Sequence, residues 1–505
     1  MRPFRLAFPL AVLLALPAGA RERGAAEVEA LQKAVQRAIE RAEPSVACVL
    51  VSRSDAYRRW KAGPSPDTPG KLGHFDAESV LRRFRGRRDD KETDQFRRRV
   101  KELDLSDPDT SPESYGSAVV IDAAGLLLTN AHVVRNATKI FVRLPGGRGS
   151  WADVHAADPR SDLAVLRLLD KVPGLRPIAF GDGDKLRKGQ FVVLLSNPYA
   201  AGFRDGSPSA SWGIVSNLRR PARPGQVSEN DRAKVTIHDY GTLIQTDTRV
   251  NLGCSGGALL NLEGEMIGLT TAQAAISGSD TPGGFAVPLD ATVKNIINVL
   301  RRGEEVEYGF LGVILDPAPP PGGGVRLQRV TAGGPAERAG LRAEDRVVAI
   351  NGHPVRQKED LFLLIGAQLA GSKVRIEVAR PPAWQRRTFD ATLAKFYVPA
   401  PCIASRRPPA RGGLRVDYTS ILPQRGATPP WGPAPPEGVV IREVVPGSAA
   451  DKAQLQVDKV ITAVNGRHVT KPVEFYEAME KANGRAELTF LNSAGRPERV
   501  TIDTR

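Results

Sequence analysis

Residues 251–257, Asn-Leu-Gly253-Cys254-Ser255-Gly-Gly, set a serine between glycines. Glycine lacks the Cβ that would obstruct a tight turn, and such a turn lets the Gly253 and Ser255 amides converge on one point, where a tetrahedral intermediate would carry its negative oxygen. A serine hydroxyl is a weak nucleophile at neutral pH, so it needs a histidine to take its proton and a carboxylate to fix the imidazole's tautomer. The chain has six histidines. His132 follows the run Ser117-Ala-Val-Val-Ile-Asp-Ala-Ala-Gly-Leu-Leu-Leu-Thr129, which predicts a strand, a turn at 122–125 and a second strand with His132 at its end. Asp162 stands at the mouth of another apolar strand, Leu-Ala-Val-Leu-Arg-Leu168, from which a carboxylate can be buried against an imidazole.

Ordinary alternatives exist for each feature alone: a glycine-rich loop, a surface acid, a second nucleophile at Cys254. The surrounding residues narrow the choice. Thr129-Asn-Ala-His132-Val-Val, Ser161-Asp162-Leu-Ala-Val-Leu, Leu194-Leu-Ser-Asn197-Pro198-Tyr, Trp212-Gly-Ile-Val-Ser216, Ile244-Gln-Thr-Asp247 and Gly284-Phe-Ala-Val-Pro288 span most of 115–290. In these segments the chain resembles the HtrA/Deg group of trypsin-like serine proteases with C-terminal PDZ domains, whose chain order is likewise His, Asp, Ser. The resemblance implies His132 as general base, Asp162 as its orienter, Ser255 as nucleophile, and the Gly253 and Ser255 amides as oxyanion hole. It also implies a specificity pocket near Arg249 and Val250. Val250 and the alanine-rich segment 271–276 point to small aliphatic P1 residues; an Arg249 guanidinium reaching the pocket floor would favour an acidic P1 instead. Two positions depart from the pattern: Cys254 replaces the usual Asn, and Arg249 a small residue. Neither belongs to the triad, and a buried thiol packs as a small apolar group.

At 505 residues the chain is too long for one domain. Residues 1–20, with Arg2 and Arg5, an apolar stretch and Ala-Gly-Ala20, read as a secretory signal peptide too short to span a membrane. This predicts export to the periplasm or another extracytoplasmic space, with membrane association through an uncleaved signal as the alternative. Residues 21–45 carry Leu31, Val35 and Ile39 at helical spacing and end before Pro44, predicting an amphipathic helix. The protease domain is expected over 46–303, interrupted at 52–114 by a polar, charge-rich insertion far longer than an ordinary connection. The three cysteines lack disulfide or metal-ligand spacing, and no cofactor fingerprint appears, so no metal or cofactor is expected. The net charge of +15 raises the question of nucleic acid. The arginine clusters at 82–88 and 97–99 are interspersed with acids and poor in stacking aromatics, which argues against nucleic acid and leaves weak association with acidic surfaces.

Two segments repeat at an offset of 114 residues: 335–341 with Val348-Ala-Ile-Asn351-Gly352, and 449–455 with Thr462-Ala-Val-Asn465-Gly466. Both resemble PDZ domains, expected over 308–398 and 413–505 with a Pro/Arg-rich linker at 399–412. The first carries Phe310-Leu311-Gly312-Val313, similar to the loop that captures a peptide's terminal carboxylate; the corresponding Gly412-Gly413-Leu414 stretch is a degenerate version. The fold expected is mainly β: a chymotrypsin-like double β-barrel followed by two PDZ domains. The function expected is an exported, ATP-independent serine endopeptidase acting on unfolded or misfolded proteins and binding their C-terminal peptides, with homo-oligomers built on trimers implied by the resemblance. The competing reading is a proteolytically silent holdase or PDZ scaffold.

Overall fold

The computed structural model describes residues 18–54, 104–222, 236–271, 284–318, 320, 322–399, 401–425, 437–482, 484–491 and 496–504. The arginine clusters and most of 52–114 lie outside these residues, as do most of the predicted signal peptide and the insertion near 428–436. Helix α1 (Ala18–Ala42) continues through the predicted amphipathic stretch and seats Val35, Ala38, Ile39 and Ala42 on the core between the barrels.

The first barrel is built from β1 (Val46–Ser52), β2 (Ser114–Asp122), β3 (Leu126–Asn130), β4 (Lys139–Arg143), β5 (Gly149–Asp158) and β6 (Leu163–Leu168). They pair in the order β5-β4-β1-β2-β3-β6, and β6 returns to β5 to close the ring. Val-Ala-Cys-Val-Leu-Val-Ser in β1 is buried along its whole length because both faces are covered: Ala47, Val49 and Val51 fill the barrel, while Val46 faces the core shared with the second barrel. The predicted turn at 122–125 closes with Gly125 N–H donating to Asp122 O at 3.2 Å.

The second barrel closes as β10-β11-β12-β9-β8-β7, with β7 (Phe191–Ser196), β8 (Ser209–Arg220), β9 (Leu243–Thr246), β10 (Ala258–Leu260), β11 (Met266–Thr271) and β12 (Gly284–Pro288). Its interior holds Val192, Leu194, Val215, Ile244, Leu259, Ile267 and Ala286. Helix α3 (Ala291–Arg301), which follows the short α2 (Ala131–Val134), is N-capped by Asp290 and buries Val293, Ile296, Ile297 and Leu300 against the shared core.

Two further sheets follow. A two-stranded pair, β13 (Gly309–Phe310) with β20 (Ala394–Lys395), flanks the first, which orders β14 (Val313–Leu315), β15 (Val325–Val330), β16 (Arg346–Ile350), β18 (Lys373–Arg380) and β19 (Gln385–Thr392), with β17 (His353–Pro354) paired to β16 and with α4 (Pro335–Arg338) and α5 (Lys358–Gly366). The second repeats that plan with β22 (Leu414–Tyr418), β23 (Val439–Val444), β24 (Val460–Val464), β26 (Arg485–Leu491) and β27 (Pro497–Asp503), with β25 (Arg467–His468) paired to β24 and with α6 (Ala449–Lys452) and α7 (Pro472–Lys481). The stretch expected as a linker does more than span: Ile403 and Ala404 form β21, a strand added to β5 of the first barrel.

Lys395, 4 % exposed, ties these parts together through ion pairs to Glu305 (3.1 Å), Glu307 (3.0 Å) and Asp417 (3.0 Å). Arg442 joins the same cluster through Asp417 and Glu305. Burial by itself would lower the Lys395 pKa, but its three acidic partners outweigh burial and hold it above the ordinary range. Breaking such a buried network by deleting one partner costs far more than breaking an exposed pair. Lys395→Met should therefore destabilise the protein by about 3–5 kcal/mol in denaturant unfolding. Lys185→Met, which removes an exposed pair with Asp182, should leave the midpoint unmoved.

Candidate active site

The first barrel supplies two of the three groups. Strand β3 ends at Asn130, and the one-turn α2 turns His132 toward the hairpin that joins β5 to β6. Asp162 occupies that hairpin in the left-handed conformation, φ +54°, which is rare for a residue other than glycine and persists only where its surroundings fix it. Its main-chain oxygen accepts from Ala131 N (2.9 Å) and Asn130 Nδ2 (3.2 Å). Its carboxylate takes His132 N (3.0 Å) with one oxygen and lies 2.7 Å from His132 Nδ1 with the other. A carboxylate can only accept, so Nδ1 carries the ring proton and Nε2 presents a lone pair. That nitrogen lies 3.0 Å from Ser255 Oγ, held by the second barrel.

The turn at 251–257 is fixed through its carbonyls. Leu252 O accepts from Tyr199 N (2.7 Å), Gly253 O from Ser117 Oγ (2.8 Å), Cys254 O from Gly257 N (2.9 Å) and Thr270 Oγ1 (2.6 Å), and Ser255 O from Ser117 N (2.7 Å). In a trans peptide the N–H points opposite to the C=O. With the Leu252 and Cys254 carbonyls drawn into the supporting loops, the Gly253 and Ser255 amides are turned away from them, as two oxyanion donors must be. Gly253 adopts φ +95°, and a Cβ there would lie 2.3 Å from Asn197 O; one on Gly256 would lie 1.9 Å from Ser117 O. Cys254 is fully buried, its Sγ accepting from Ser196 Oγ (3.2 Å) and Asn251 N (3.3 Å), so the thiol faces the barrel rather than His132.

Around the expected specificity pocket, Arg249 is exposed, turned to solvent, while Val250 is half-buried with its Cγ2 against Gly284. Residues 272–276 lie outside those described. Asp158, on the strand just before the hairpin that holds Asp162, faces Ser161 and Tyr308 instead of His132. Sequence reasoning missed Ser117, Tyr199, Thr270 and His238. Tyr199 is the last residue of a recognised motif, but nothing in its type shows that its backbone amide, presented by a residue at φ +52°, pins Leu252. His238 is buried, which pushes its pKa down, and it contacts Ser161 O at 2.7 Å through Nε2 and Thr242 Oγ1 at 2.6 Å through Nδ1.

The two repeated sheets differ where a peptide strand would add. In the first, Gly312 (φ +79°) offers its carbonyl to Thr331 N and Leu311 offers its own to Ala336 N. That pairing turns the Val313 and Leu315 amides toward the open edge beside α5. In the second, Gly413 (φ +87°) and Gly412 make the same two bonds, to Val445 N and Ala450 N, so the loop backbone is retained with Arg411-Gly412 at the places of Phe310-Leu311. Its edge amides, however, are engaged within the fold: Leu414 N by Arg411 O (3.0 Å), Val416 N by Tyr476 Oη on α7 (3.4 Å) and Tyr418 N by Asp417 Oδ1 (2.8 Å).

The trypsin-like peptidase domain family matches residues 116–269, and the PDZ domain family matches 328–380 and 440–492. The chain is 30 % identical over 389 residues to the probable periplasmic serine endoprotease DegP-like of Chlamydia trachomatis, covering 75 % of this chain and 72 % of that protein. To the DegP-like protein of Pseudomonas fluorescens it is 33 % identical over 72 % of this chain and 74 % of the other. To the periplasmic pH-dependent serine endoprotease DegQ of Escherichia coli it is 33 % identical over 74 % and 78 %. The chain belongs to the HtrA/DegP family of serine proteases. It is a serine endopeptidase of the trypsin-like class; of its two departures from the family pattern, Cys254 is buried and Arg249 is exposed.

Because a Cβ on Gly253 would displace the backbone that carries its amide, Gly253→Ala should lower kcat by about 10²–10³-fold. Little change is expected in the far-ultraviolet circular dichroism spectrum.

Proposed function

We propose that this chain is an exported, ATP-independent endopeptidase that degrades unfolded or damaged proteins. Its triad is His132, Asp162 and Ser255, and its first PDZ unit recognises apolar C-termini. The observation that carries the reading is the unbroken line from Asp162 Oδ2 through His132 to Ser255 Oγ, with separations of 2.7 and 3.0 Å. Ser255 Oγ attacks the scissile carbonyl while its proton passes to His132 Nε2, and Asp162 steadies the imidazolium. The Gly253 and Ser255 amides hold the oxyanion. On collapse, His132 returns the proton to the departing amine, leaving an acyl-enzyme; a water activated by His132 then hydrolyses it and restores Ser255. A silent holdase would have no need of this alignment.

Preference at P1 follows from Arg249 and Val250: with the guanidinium in solvent, the pocket wall is Val250, which favours small aliphatic P1 residues. Relatives named as periplasmic support an extracytoplasmic location. Among the described residues no helix is long and apolar enough to cross a membrane. Trimer-based assembly and weak attraction of the basic chain to acidic surfaces complete the proposal, the first from family resemblance and the second from charge.

Incubation with an unfolded casein-type substrate tests the activity. Cleavage should disappear in Ser255→Ala and fall by several orders of magnitude in His132→Ala, with the double variant hardly worse than either, because the triad acts as a unit. Additive losses would sink the assignment, and Asp or Glu dominating P1 in the same digests would overturn the aliphatic pocket.

For the PDZ units, a peptide with an apolar C-terminal residue should bind through its free carboxylate and lose affinity on amidation or in Gly312→Val. Binding that survives Gly312→Val but vanishes in Gly413→Val would move the receptor role to the second unit, where Tyr476 occupies the edge.

A further inference from the structure

The hairpin that carries Asp162 is held by more than the barrels. Asp158, the last residue of β5, turns its carboxylate over the loop and accepts from Ser161 N (3.0 Å), Ser161 Oγ (2.5 Å) and Arg160 N (3.3 Å). Ile237 N donates to Arg160 O (2.9 Å), and His238 Nε2 lies 2.7 Å from Ser161 O. Every residue from 160 to 162 thus has its main chain tethered, which is what a left-handed aspartate requires.

One tether comes from outside both barrels. Tyr308 is fully buried, and its hydroxyl donates to the Asp158 oxygen that also receives Ser161. The Arg160 guanidinium lies over the Tyr308 ring at 4.7 Å and over the Phe396 ring at 3.9 Å. Tyr308 is in turn fixed by the first PDZ unit: Phe396 N donates to its carbonyl (2.7 Å), it bridges to Leu369, and the next residue's amide donates to Gln368 O (2.7 Å).

We propose that Tyr308 is a positioning residue for the protease: through Asp158 it fixes the hairpin that holds Asp162 against His132, so the PDZ unit supplies part of the active-site scaffold. The inference rests on the triad reading above. Tyr308 touches no reacting atom, and its effect passes through Asp158, Ser161 and Asp162. Misplacing a catalytic group by about 1 Å costs on the order of 10²-fold in rate, so loss of the hydroxyl should be read in turnover and not in substrate affinity.

Full-length wild type, Ser255→Ala, Tyr308→Phe, Asp158→Ala and Asp158→Asn are compared on a short peptide cleaved by the wild type and in the rate of Ser255 labelling by an organophosphonate. Tyr308→Phe keeps the ring under Arg160 and should lose about 10–100-fold in kcat and in labelling rate with KM within about twofold. Asp158→Ala should match it, whereas Asp158→Asn, which retains an accepting oxygen for Tyr308 and Ser161, should stay within about threefold of wild type. Wild-type turnover in Tyr308→Phe, with Ser255→Ala inactive, would overturn the positioning role and leave the triad standing, as would a loss confined to KM. Should Tyr308→Phe fail to fold, Asp158→Asn and Asp158→Ala decide alone: equal activity of the two would overturn the proposal. Wild-type turnover that persists in Ser255→Ala would overturn the triad and the proposal together.

Discussion

The hydrogen bond between His132 and Ser255 joins two barrels that share a core but no sheet, so its 3.0 Å span depends on whatever holds the 251–257 turn against the first barrel. Ser117 does this. Its amide donates to Ser255 O, its hydroxyl donates to Gly253 O, the same hydroxyl accepts from Asn197 N at 2.8 Å, and its carbonyl accepts from Thr129 Oγ1 at 2.7 Å. One fully buried residue on β2 thereby fixes Ser255, the turn that precedes it, the loop that pins Leu252 and the strand leading to His132. Such a residue is satisfied on every polar atom, and a buried polar group costs little only under that condition.

The architecture was legible because its signals are local. The apolar runs of β1 to β3, the turn at 122–125, the Asn-Gly turns of the repeated sheets and the serine between glycines all encode their conformation within a few residues. The supports were not legible. Tyr199 pins Leu252 through a backbone amide, Thr270 fixes Cys254 O from 16 residues away, and Tyr308 reaches Asp158 across 150. No residue type announces these roles, since each arises from tertiary placement. The linker at 399–412 shows the same limit: its prolines and arginines indicated an extended chain, and the open edge of β5 made that chain a strand.

The PDZ units illustrate how one backbone plan can be kept while its use changes. Both loops place a glycine at positive φ and make equivalent carbonyl bonds. In the second unit the groove-side amides are engaged by Arg411 O, Tyr476 and Asp417, and β22 also contributes Asp417 to the Lys395 cluster. A strand edge satisfied internally gains little from an added peptide, because each new hydrogen bond must replace an existing one. The strand contributes instead to the contact between units, where Asp417 pairs with the buried Lys395 and the half-buried Arg442.

The departures at Cys254 and Arg249 are informative for what the active site asks of side chains. On the proposed reading the 251–257 turn works through its peptide groups, and its geometry is set by carbonyls bound to Tyr199, Ser117, Gly257 and Thr270. At 254 the demand is a small group that fills a buried space and accepts weak hydrogen bonds, which a thiol meets. At 249 the proposed pocket asks only that the side chain lie outside it, which the exposed, long-stemmed Arg249 meets. The proposed triad of Ser255, His132 and Asp162 has no such latitude, because each must place a particular atom within hydrogen-bond reach of the next.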